Sequence, residues 1–316
     1  MTQRQLPLFQ QQPTSAEEIT RETPFNMTWE LFAQHLSYEG KSDHTVVAFT
    51  SDLELFGQYH GKAASLGSIT THDLDGFLHW LEYERDVPCS RKSYARRVTT
   101  LKVYFKWLHD LGALKTNPAN AILQRSGPAP LSDVLTPAQI AACITASRTF
   151  TFKRSIEPDT RPEMLLRLLL DTGIKKNEAM ALTPTNINAS DPQNPSIEIR
   201  FKVRSVFKER NVRVSREWLP LYEDYMLQYA PKQVIFDCTA RNLEYVLTHI
   251  GEKVGLPFKL SFEICRWTSA LNDMRAGVDE DVIRQKLGLS DISWYETGQK
   301  LRELRKRVDG VSEETK

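Results

Sequence analysis

The sequence predicts a mainly α-helical chain in two domains, the second carrying one small β-hairpin. Apolar residues recur at spacings of three and four along most of its 316 residues. A Gly/Pro-rich stretch around Gly127 interrupts that pattern, and two-residue alternation is confined to Ser196–Val214. The length suffices for two separate cores.

Residues 1–25 are polar and rich in Gln, Pro and Thr, without the basic-then-apolar order of a signal peptide. They are expected to form a disordered tail. The first domain, residues 26–124, should hold four helices. Trp29, Leu31, Phe32 and Leu36 mark the first; Val46, Val47, Phe49, Leu53 and Phe56 mark a second that starts near Asp43. Thr71-His72-Asp73 opens a third, with Leu74, Phe77, Leu78 and Leu81 at helical spacing. The fourth runs from Ser90 to about Asp110. Its stripe of Tyr94, Val98, Leu101, Phe105 and Leu108 sets Lys92, Arg96, Lys102 and Lys106 on roughly the opposite arc. Surface faces usually mix signs, so an all-positive arc points beyond simple solvation.

Arg125-Ser126-Gly127-Pro128-Ala129-Pro130 lies in an expected linker over residues 125–134. The second domain, residues 135–316, opens on Leu135-Thr136-Pro137, an N-cap followed by proline at the first helical position. Helices are expected over 137–147, 161–171 and 176–182. A hairpin should follow, with strands 196–203 and 206–214. Helices over 216–229, 240–254, 262–275, 279–287 and 292–309 complete the chain.

Composition bounds the function weakly. Hydrophobic residues make up 41% and charged residues 26%, as in ordinary globular proteins. No apolar run nears the ~20 residues of a membrane span, so no membrane partner is expected. Cys89, Cys143, Cys238 and Cys265 are far apart and show no CxxC spacing. They read as reduced thiols of a cytoplasmic protein, with no metal site. A net charge of +1 means that any nucleic-acid surface must be local and offset by acidic patches elsewhere.

Several short boxes stand in a telling order. Asp43–Leu53, preceded by Ser42, is a helix of the form S-x-x-T-x-x-x-Y-x-x-D-L, with Phe49 at the aromatic position. Asn117-Pro118-Ala119 follows, then Asp171-Thr172-Gly173-Ile174-Lys175-Lys176-Asn177-Glu178, Phe207-Lys208-Glu209-Arg210, Leu260–Trp267 and Leu287-Gly288-Leu289-Ser290. In order and spacing these resemble the tyrosine recombinases of the Xer and phage-integrase type, from Thr28 onward. The resemblance implies an N-terminal four-helix, SAM-like core-binding domain and a C-terminal α+β domain of the recombinase catalytic type. It also implies double-stranded DNA as partner, with no cofactor.

Strand cleavage by a tyrosine needs an in-line phenol, cationic donors on the phosphate and a general acid for the leaving oxygen. Carried onto this chain, the family's catalytic set is depleted. The first arginine becomes Lys175, which keeps charge and loses the planar fork. The hairpin lysine falls on Ser205. The first histidine becomes Glu263, whose charge beside a phosphate should cost about 1 kcal/mol or more. Arg266 is intact, and Trp267 replaces the next histidine. The second box holds Leu289, 26 positions after Glu263, where a histidine is expected. The nucleophile, about nine positions further on, falls on Gly298. Tyr295, three residues earlier, is an alternative nucleophile or a packing residue.

The expectation is therefore a DNA-binding protein of the recombinase fold, cytoplasmic and nucleoid-associated, without strand cleavage. DNA contacts are expected from Arg91, Lys92, Arg96, Lys102 and Lys106, from Lys202, Arg204, Lys208 and Arg210 of the hairpin, and from Lys175 and Arg266. Ser90 and Tyr94 are further candidates. Leu301, Leu304 and Val308 stripe a terminal helix, with two readings open: by the resemblance it docks into a neighbouring copy on DNA, or it packs on its own domain. Two other readings stay open: an active recombinase using Tyr295, and a partner-binding subunit of a DNA-processing assembly.

Overall fold

A computed structural model of the chain describes residues 12–123, 131–152, 156–203 and 206–313; the side chains of 201–203, 206–207 and 310–313 fall outside the description. The chain divides into two units between Ala129 and Pro130. Among the described residues, no helix is long and apolar enough to cross a membrane.

The first unit is built on four helices: α1 (Trp29–Tyr38), α2 (Asp43–His60), α3 (Thr71–Tyr83) and α4 (Arg91–Asp110). Each of the last three starts on a side-chain cap. Ser42 accepts from the Thr45 amide, Thr70 and Asp73 form a reciprocal capping box, and Ser90 accepts from the Ser93 amide. Their buried faces close a core in which Phe25, Phe32 and Phe56 are fully covered. Phe25 packs edge-on against Phe56 and Tyr104.

Two expectations need correction here. The tail expected to be disordered to residue 25 is packed at its end: Ile19 and Phe25 lie in the core, and the Phe25 amide donates to Ala64 O at 2.9 Å. The first eleven residues lie outside the description. The second correction concerns α4, whose core face is wider than its stripe suggested. Tyr104 and Trp107 are buried as well, against Phe32 of α1. Arg96 therefore sits at a packed border, and its guanidinium turns inward to α2.

The second unit holds α5 (Pro137–Ser147), α6 (Arg161–Thr172), α7 (Lys176–Met180), β1 (Ile187–Asn188), β2 (Ser196–Val203), β3 (Val206–Arg213), α8 (Trp218–Tyr229), α9 (Ala240–Val254), α10 (Phe262–Arg275), α11 (Glu280–Lys286) and α12 (Asp291–Glu313). The hairpin register runs from Ser196 opposite Arg213 to Val203 opposite Val206. An unforeseen third strand, β1, pairs antiparallel with β2, giving the order β1-β2-β3. Ile197, Ile199, Val212 and Val214 point into the main core with the buried faces of α6, α9 and α10.

A smaller core gathers Val134, Ala270, Leu271, Met274, Ile283 and Leu287 around Leu301 and Leu304 of α12. One expectation changes with it: Val134, assigned to the linker, is part of this unit. Of the two readings of the terminal stripe, docking into a neighbouring copy and packing on its own domain, the structure shows the second: Leu301 and Leu304 are covered by their own chain.

Candidate functional site

Four elements of the second unit converge on one place. Helix α6 ends on Gly173 in the left-handed region (φ 58°), which turns the chain sharply into α7. A Cβ there would stand 3.0 Å from Leu287 and 3.6 Å from Arg266, so the same glycine admits the neighbouring elements. Lys175 caps α7. Its amide donates to Glu178 Oε2 at 2.9 Å, fixing the carboxylate at the first helical turn.

Glu178 receives Arg210 from β3 in a two-pronged ion pair, Nη1 to Oε1 at 3.0 Å and Nη2 to Oε2 at 2.6 Å. Both side chains are buried, at 7% and 5% exposure. Arg210 Nε also donates to Lys286 O at 2.8 Å, tying the hairpin to the end of α11. Burial alone would raise the Glu178 pKa, but the bonds and charge of Arg210, with Lys175, hold it below the usual carboxylate range. Arg210 was expected to bind DNA; it is instead a buried strut.

Helix α10 starts on the Ser261 cap, with Glu263 exposed and Arg266 one turn later. Arg266 donates one nitrogen to Gly173 O and another to Leu287 O, the latter at 2.6 Å. Burial pushes its guanidinium down to about 10; Glu178 opposes that fall and Arg210 adds to it. Lys175 is lowered too, first by desolvation, against the pull of Glu178, and further by Arg266 and Arg210. Three cations thus share one buried carboxylate.

Lys175 and Arg266 line a cavity of about 530 Å³, together with Glu263, Trp267, Leu289 and Thr297. The sequence named Lys175, Glu263, Arg266 and Leu289 as positions of this site and Trp267 as a mainly packing one; Thr297, Lys176 and Glu244 it did not name. The Thr297 hydroxyl is turned back to Ser293 O at 2.9 Å. Lys208 and Arg210–Arg213 of β3, with Val214 just after it, line a separate groove of about 1140 Å³. Ser205 and Arg204 lie outside the described residues, as does the side chain of Lys202.

Helix α12 brings no tyrosine to the cavity. Tyr295 is 72% exposed and is not among its lining residues. Gly298 is buried, and a Cβ there would meet two atoms of the Trp294 indole at 3.1 Å. The spacing of Trp294, Gly298 and Leu301 on one helical face could have disclosed this packing.

In the first unit the expected cationic arc is only partly outward. Arg91 and Lys92 are exposed and Lys102 is half-buried. Lys106 pairs with Asp110 at 2.6 Å. Arg96 donates to Ala48 O at 2.8 Å and pairs with buried Asp52 at 2.9 Å. Tyr94 is buried and Ser90 is spent on its cap. Among the described residues no cluster of His, Cys, Asp and Glu could hold a metal.

Comparison with known proteins fits this architecture. Residues 29–112 match the family model described as phage integrase, N-terminal SAM-like domain. Tyrosine recombinase XerC of Roseiflexus castenholzii is 27% identical over 289 residues, covering 84% of this chain and 85% of that protein. XerC of Chromobacterium violaceum is 28% identical over 160 residues, about half of each chain. Among solved structures, XerH bound to palindromic difH substrate, a post-cleavage complex, aligns with TM-score 0.69 at 16% identity, over 94% of this chain and 91% of that one. A lambda integrase dimer bound to a COC' core site aligns with TM-score 0.66 at 14% identity, over 85% and 75%.

Proposed function

Because the chain belongs to the tyrosine recombinase, or phage integrase, family, we propose that it is a DNA-binding protein that grips duplex DNA with both units and has lost strand cleavage. The observation that carries this reading is the missing phenol. Glycine occupies the expected nucleophile position beneath Trp294, and Tyr295, three residues earlier on α12, does not line the cavity of Lys175 and Arg266. A phosphate seated there would find positive charge but no attacking group in line. Leu289 can supply no proton to a leaving oxygen, and Glu263 repels the phosphate at the rim. Losing several members of one cooperating catalytic set leaves little residual rate.

DNA binding itself is supported by the DNA-bound state of the structural neighbours and by the exposed Arg91, Lys92 and Lys208. Such contacts fix position on the duplex without reading its sequence. The protein would act in the cytoplasm, on the nucleoid.

A nicked suicide duplex decides the matter. Incubated with the protein and run on a denaturing gel, it should yield free DNA only. A covalent adduct that vanishes in Tyr295→Phe would establish an active recombinase instead. A gel shift insensitive to salt would favour the third reading, a partner-binding subunit with little phosphate contact.

A further inference from the structure

The hairpin leaves one side of the small sheet without a neighbour. In the order β1-β2-β3, strand β3 is an edge. The Val214 amide donates to Pro195 O at 3.0 Å, directly opposite it in the register that pairs Ser196 with Arg213. Antiparallel pairs alternate between bonded and non-bonded. The backbone groups of Arg210 and Val212 therefore turn to β2, and those of Glu209, Asn211 and Arg213 turn away from it. Among the described residues these three backbones have no hydrogen-bond partner on that side. The groove of about 1140 Å³ is bordered by every residue from Lys208 to Ser215, so the edge faces open space.

Charged side chains on an edge ordinarily keep a second edge away. Here they are self-complementary. When β3 pairs antiparallel with the same strand of a second copy, centred on Asn211, Glu209 falls opposite the partner's Arg213, twice by symmetry. Arg210 falls opposite the partner's Val212 and Lys208 opposite the partner's Val214, so no like charges meet. Three pairs (209 with 213, 211 with 211, 213 with 209) exchange two backbone bonds each. No other register sets Glu209 against Arg213. Both side chains are placed for it. Glu209 is 56% exposed and gives Oε1 to Arg200 of β2 at 3.2 Å, which leaves Oε2. Arg213 is exposed and has no ion-pair partner among the described residues.

We propose that two copies of this chain join edge to edge through β3, their three-stranded sheets becoming one about a two-fold axis at Asn211. That axis stands perpendicular to the sheet, so both helical layers lie on the same side and the two grooves meet beneath the join. Half-buried Ile140 and Ile144 of α5 and the 53% exposed Val282 of α11 line them with apolar surface. The contact is smaller than a standard interface. Association is expected on the order of 10–100 µM, and the dilute chain melts as a monomer. The join depends neither on DNA binding nor on the loss of cleavage.

Sedimentation velocity on the full chain, without DNA, tests this. The protein should pass reversibly from monomer to dimer between about 1 and 300 µM. Glu209→Arg and Arg213→Glu should each weaken the dimer at least about tenfold, since each sets two like-charge pairs across the axis. An equimolar mixture of the two variants should dimerise as the wild type does, because every 209–213 contact is then Arg against Glu. Asn211→Pro removes an outward amide and no bond to β2, so it should fold and stay monomeric. A wild type that is monomeric throughout, single reversals that dimerise normally, or a mixture of folded variants that fails to recover would overturn the proposal. So would a dimer abolished by Leu304→Ala and untouched by the reversals, which would place the contact on α12. A covalent adduct on the nicked duplex would overturn the loss of cleavage and leave this dimer standing.

Discussion

At the scale of single residues, the pair Glu178–Arg210 carries the largest stake. Neither side chain has water to fall back on, so removing one charge strands the other. Arg210→Met or Glu178→Gln should cost about 3–5 kcal/mol in urea unfolding, against well under 1 kcal/mol for Lys208→Ala. The same pair sets a pH dependence. Glu178 titrates below its unfolded value of about 4.3, so its stabilisation is complete above that pH and is lost as pH falls through the lowered folded value. Glu178→Gln should flatten this acid limb of the stability profile. Asp52 has the opposite slope. Burial raises its pKa despite Arg96, Thr100 and Arg97, so its contribution fades as pH rises through the raised value. None of this was legible in the sequence. Glu178 and Arg210 stand 32 positions apart, and a basic residue in a hairpin reads as a phosphate ligand until its partner is seen.

At the scale of elements, the periodic segments were legible and the short or doubly packed ones were not. All four helices of the first unit start within a residue or so of their expected caps, because an N-cap is a local chemical fact. Strand β1 escaped notice since two residues carry no alternation to read. Helix α4 buries more than its aliphatic stripe implies, because Tyr104 and Trp107 form a second, aromatic stripe that packs on α1. Helix α12 shows the converse: its stripe was seen, but periodicity cannot say whose core it enters. Leu301 and Leu304 are fully buried within the chain. Leu304→Ala should therefore cost about 2–5 kcal/mol, with a melting temperature that does not vary with protein concentration. A helix lodged in a neighbour would make that temperature rise with concentration.

At the scale of the whole molecule, the charge is nearly balanced, and many cations are spent internally. Arg96, Lys106, Arg210 and Arg266 all have protein partners. Lys208, exposed on the hairpin, and Arg91, exposed at the start of α4, are the better candidates for phosphate contacts. Lys208→Ala and Arg91→Ala should each weaken duplex binding evenly across sequences. Each should also lower the slope of log K against log salt by about one; an unchanged slope in both would remove these faces from the DNA surface. The family boxes were readable because their order and spacing survive; the proposed depletion rests on glycine and leucine, which cannot do the chemistry the resemblance expects at those positions. Arg266 teaches something else. Roped to the final carbonyls of two helices, it serves as masonry, and folding alone gives reason to keep it whether or not strands are cut. Its persistence in a chain of this architecture is no testimony to a living catalyst.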